Sequence, residues 1–138
     1  MSELERHFDY LREMVEVARA APLSRRKAMT AALLADAMAD RLNPGGDVLD
    51  FRTGLAGESE ALRLVFALAS NEVGVQLLIE PVEVPLAHYP HLPTADFMVS
   101  LYNDRQVQRV RIAEGDARYD VHEVLAAALA ALEPHLPH

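Results

Sequence analysis

The sequence predicts an α+β fold: an N-terminal helical hairpin, a third helix, a small antiparallel sheet of about three to four strands, and a C-terminal helix. Three observations carry that reading. Apolar residues recur at helical spacing near the start, two alternating runs flank Asn103-Asp104, and an uncharged run near the end follows a capping signal. With 138 residues, 51% hydrophobic and 25% charged, the chain has the composition of one globular domain. We divide it into the hairpin at 3–42, an α+β core at 47–133 and a loose tail at 134–138.

Leu4, Phe8, Leu11, Val15 and Ala18 are spaced four, three, four and three apart, which makes the first helix amphipathic. Ser24 is a natural N-cap for a second helix carrying Leu34, Met38 and Leu42, and Asn43-Pro44-Gly45-Gly46 ends it. Val48–Phe51 reads as a short extended segment, followed by a Gly54–Gly57 loop and a third helix from about Glu58 to Asn71. Val73–Glu80 is rich in aliphatic residues and reads as a strand, while Pro81, Pro85, Pro90 and Pro93 confine the next segment to an edge or loop. Phe97, Val99 and Leu101 alternate with Met98, Ser100 and Tyr102 and pair, on this reading, with Gln106–Ile112. Asp120 and Glu123 form a capping box, Tyr119 is placed to staple against Val124, and Pro134 stops the last helix.

Charge and composition exclude several classes. The formal net charge is −8 and neither half of the chain is net basic, so no nucleic-acid partner is expected. The uncharged stretches are about half of what a bilayer requires, so no membrane span is expected, and the charged start lacks a signal-peptide core. With no cysteine, disulfides and thiolate chemistry are out of reach. These features together make a cytoplasmic location the expectation.

Four constellations remain. Arg52, Thr53, Gly54 and Gly57 sit in a strand–loop–helix pattern whose backbone amides would cradle a ligand, although no Gly-Lys-Ser/Thr accompanies them. His88 and His91 stand three apart in a proline-rich loop, a metal pair without helical spacing or an adjacent base. Arg25, Arg26 and Lys27 crowd the first turn of the second helix, where the dipole disfavours cations, and so invite an anion or compensation by Glu13 and Glu16. Arg105, Arg109 and Arg111 share one face of a strand by period-two arithmetic, the ordinary pattern of a solvated sheet face.

Val124–Leu132 has no polar side chain at all, and such helices are usually enclosed. Leu125, Leu129 and Leu132 are therefore expected at a homodimer interface. No pattern joins a nucleophile to a base, so the expectation is a non-catalytic interaction or regulatory domain without cofactor, working as a dimer and open to a protein partner. The rival is a small-ligand-binding or metal-dependent enzyme using the His88/His91 or Gly54–Gly57 loop.

Overall fold

The computed structural model describes residues 2–84, 92–96, 98 and 106–137. Helices α1 (Glu3–Ala20), α2 (Arg25–Arg41), α3 (Val48–Glu58) and α4 (Glu60–Ala69) precede strands β1 (Val75–Glu83), β2 (Gln106–Glu114) and β3 (Ala117–Asp120). Helix α5 (Val121–Leu132) comes next, with a 3₁₀ turn at Glu133–His135. The α+β class and the bunching of helices before the sheet agree with the sequence.

Each of these five helices starts on a side-chain cap. Ser2, Ser24, Asp47 and Ser59 accept the amides of Glu5, Lys27, Asp50 and Leu62, and Asp120 Oδ1 accepts those of both His122 at 2.9 Å and Glu123 at 3.0 Å. Asp47 explains the main correction to the sequence reading. Residues Val48–Phe51 are not extended and Gly54–Gly57 is not a loop, because Asp47 nucleates one continuous helix through all of them. Both glycines have ordinary backbone angles there, and a Cβ at either would meet nothing within 4 Å. Ser59 then ends α3 and caps α4, so the third predicted helix begins two residues late. Helix α4 ends in a Schellman motif: Asn71, at φ 57°, donates to Leu68 O while Glu72 donates to Ala67 O.

The sheet is an antiparallel meander in the order β1-β2-β3. Strand β1 runs on through Pro81, which an edge position permits. The expected partner of β2 is corrected in part. Met98 is helical, like Thr94–Asp96, and Phe97 and residues 99–105 lie outside the described residues. The hairpin that is present joins β2 to β3, Glu114 opposite Ala117, through Gly115-Asp116 with Gly115 at φ 57°.

One core joins the helices to a single face of the sheet. Phe8, Leu11, Met38, Leu62, Val65 and Ile112 are enclosed in it. Helix α2 contributes Ala28, Ala31, Ala32, Ala35 and Ala39, all buried, and packs against α1, α4 and α5. Part of the tail is tied to this core: Leu136 packs on it, and the His135 ring meets Phe51 edge-on at 5.8 Å.

Two substitutions test these assignments. Asp120→Ala removes the acceptor of two amides and should cost about 1 kcal/mol by urea denaturation. Gly54→Ala should raise stability by roughly 0.5–1 kcal/mol, since a helix interior favours Ala, and a loss instead would restore a loop there.

Candidate functional site

Strand alternation divides the sheet into two chemically different faces. Leu77, Val110, Ile112 and Tyr119 point to the helices. The opposite face carries Glu80, Arg109, Arg111 and Arg118, brought together by the registers Glu80↔Arg109 and Ala113↔Arg118. This face is only partly solvated, Gln76 and Arg118 being exposed at one end. The Arg109 and Arg111 side chains are only 23% and 22% exposed, so each guanidinium requires partners.

Those partners are unequal. Arg109 donates to Asp96 at 3.1 Å and to the Gln108 carbonyl at 3.0 Å. Arg118 donates through Nε to Glu80 at 3.4 Å and through Nη1 to the Gly115 and Ala117 carbonyls. Among the described residues Arg111 has a single 3.6 Å ion pair, from Nη1 to Glu80, and its Nε is buried without an acceptor. Leaving such a donor unpaired costs about 1–3 kcal/mol. All three arginines line a half-open cavity of about 560 Å³ that is bordered on one side by the start of α5 at Asp120, Glu123 and Val124.

On the other side of the sheet, Arg63 of α4 grips Glu114 with two bonds, Nη1 to Oε2 at 2.6 Å and Nη2 to Oε1 at 3.0 Å. That pairing raises the Arg63 pKa and lowers that of Glu114. Glu60 accepts from both Arg63 and the Tyr119 hydroxyl, and burial followed by the Glu60 charge pushes the Tyr119 pKa up.

Arg52, from the supposed ligand loop, is a clasp between helices. It lies over the Phe66 ring at 4.1 Å and donates to both carboxylates of Asp36 and Asp40. Burial opposes its charge most, yet the two aspartates outweigh that and hold its pKa raised. Arg52 and Thr53 border a shallow cavity of about 430 Å³, and neither Gly54 nor Gly57 borders it. No glycine cradle exists, because the amides that would form it are spent inside α3.

His88, His91 and Arg105 lie outside the described residues. Among those described, no three His, Asp or Glu side chains are grouped to hold a metal ion. Arg25, Arg26 and Lys27 are exposed and make no ion pair among the described residues, while Glu16 pairs with Arg19 instead. The expected interface on α5 is also corrected. Leu125 is 1% and Leu132 0% exposed within the chain's own core, Leu129 is half-buried against it, and the outward positions are Ala127 and Ala130. Alanine methyls are small enough to meet water, so the uncharged run needs no second copy to cover it. A groove of about 430 Å³ lies elsewhere, between α1 and α2, lined by His7, Tyr10, Leu34, Ala37, Met38 and Arg41.

Sequence reasoning missed Glu80, Asp96 and Arg118 as neighbours of Arg109 and Arg111. The signal that would have found Arg118 is Gly115-Asp116 between two alternating runs, a two-residue hairpin turn. No helix among the described residues is long and apolar enough to cross a membrane. Comparison of the chain with protein-family models, with curated proteins and with solved structures finds no match.

The lowered pKa of Glu114 fixes a sign for acid stability. Its pairing with Arg63 stabilises the fold above the unfolded carboxylate pKa of about 4.3 and is lost as pH falls through the lower folded value. Glu114→Gln should therefore flatten the loss of stability on acidification below about pH 4.3, measured by urea midpoints across that range.

Proposed function

We propose that the chain is a non-catalytic interaction or regulatory domain that acts in the cytoplasm as a homodimer, with the outer face of the helical hairpin as the shared surface. One observation carries this reading. The groove between α1 and α2 is bordered by apolar side chains that the fold leaves in water, Tyr10 at 50% exposure, with Leu33 at 48% one turn before Ala37. Large apolar side chains left exposed beside a groove, with His7 and Arg41 as its polar rim, fit a docking surface.

Charge supports a second copy as the occupant. Helix α1 carries Glu5 and Glu13 exposed without ion pairs among the described residues, Asp9 and Glu16 being paired with Arg12 and Arg19, while the start of α2 holds Arg25, Arg26 and Lys27 equally without ion pairs among them. A two-fold axis across the hairpin can set the acidic helix of one copy against the basic turn of the other, and such isologous contacts are the commonest closed assembly. The sequence expectation of a dimer is kept, and its surface moves from α5 to the hairpin.

Light scattering on the purified chain should give close to twice the 15.3 kDa of one copy. Leu33→Glu should shift it to a single copy without loss of helical circular dichroism, because a carboxylate buried at an interface costs several kcal/mol, on the order of 2–7, whereas the same residue in the monomer stays wet. Val73→Glu, at a fully exposed turn, should leave the dimer intact. A single-copy mass for the wild type refutes the reading.

A further inference from the structure

We propose that the cavity on the arginine-bearing face of the sheet is a binding site for a small zwitterion with an aliphatic body, a free branched-chain α-amino acid in its simplest form. The site is distinct from the hairpin surface and does not depend on it.

Size sets the first limit. About 560 Å³ lies within the range of small-molecule pockets and exceeds the shallow cavity beside Arg52. The chemistry of the wall then narrows the ligand. Val82, Val84, Val107 and Val124 supply branched aliphatic surface, and Tyr119 is the one aromatic residue among the lining residues described. An aliphatic group is the matching body.

The charges on the wall decide between a simple anion and a zwitterion. Arg109, Arg111 and Arg118 share the wall with Glu83, Asp120 and Glu123 and are already paired with Asp96 and Glu80, so a carboxylate alone would gain no net attraction. A molecule carrying a carboxylate and an ammonium meets both sets. Arg109 and Arg118 are already engaged by Asp96, Glu80 and backbone carbonyls. Of the three, Arg111 has the fewest partners among the described residues, one 3.6 Å ion pair to Glu80 and an Nε with no acceptor. Guanidinium binds carboxylate best through two parallel N–H bonds, and the Nε edge is one half of such a fork. Water does not reach that nitrogen in the structure, so the guanidinium must turn toward the cavity as the ligand's carboxylate enters. Asp120 and Glu123 stand at the start of α5 on the same wall, Asp120 Oδ1 being occupied by two amides, which leaves Glu123, exposed at the rim, as the group for the ammonium.

Isothermal titration of the full chain tests this with three probes: L-leucine, 4-methylpentanoate, which lacks the ammonium, and 3-methylbutylamine, which lacks the carboxylate. Leucine should bind saturably, and each half-molecule about ten-fold more weakly or worse. Arg111→Lys keeps a positive charge but has no Nε–H fork, and should weaken leucine by a similar factor while leaving the circular dichroism and urea midpoint close to wild type. Glu123→Gln, at an exposed position that does not threaten folding, should weaken leucine and leave 4-methylpentanoate unchanged. Failure of leucine to bind at millimolar concentration overturns the proposal. So does equal binding of 4-methylpentanoate, which would make the cavity a plain anion site, and so does unaltered leucine binding by both variants.

Discussion

The alanine seam of α2 is the constraint on which the other elements depend. Ala28, Ala31, Ala32, Ala35 and Ala39 are all buried, and they face three other helices at once. Small side chains let helix axes approach closely, so one helix can serve as the common wall of α1, α4 and α5. The larger side chains that fill the remaining space, Phe8, Leu62, Leu125 and Leu132, come from those neighbours. A larger residue in the seam would push apart several contacts together, since interiors packed to crystal density have no slack to absorb added methylenes.

Polar clasps set how the outer elements attach to that seam. Arg52 fastens α3 to α2 through Asp36 and Asp40 while lying on Phe66 of α4, so one side chain helps to fix the position of a helix that fully buries only Leu55. Arg63 and Glu114 fasten α4 to the end of β2, and Glu60 extends the same network to Tyr119 on β3. Both clasps are half-buried, where ion pairs are screened less than at the surface and where a planar guanidinium can hold two acceptors. They act where aliphatic packing runs out.

The second face of the sheet obeys another logic. Arg109 and Arg111 are largely enclosed and Arg118 is exposed, and among the described residues the deficit of partners is concentrated on Arg111. Buried donors are almost always paired in folded proteins, so the unpaired Nε beside a cavity is, with the unpartnered buried Nδ1 of His122, a feature among the described residues that structural stability does not explain.

The sequence by itself determined the helices whose faces have a clear period, the Ser24 and Asp120 caps, the strand character of β1 and β2, and the α+β class. These depend on local spacing and local hydrogen bonds, which a single chain displays in its order of residues. It misled at Val48–Gly57, where β-branched and glycine residues suggested strand and loop but a single Asp47 side chain, accepting the Asp50 amide at 3.0 Å, was enough to start a helix. Tertiary structure alone decided the rest. Whether Leu125 and Leu132 faced a neighbour or their own core depended on where α2 and α4 lay, which no local pattern encodes. The enclosure of Arg109 and Arg111 was equally beyond period-two arithmetic, because alternation assigns residues to a face and only the packing around the sheet determines whether that face meets water.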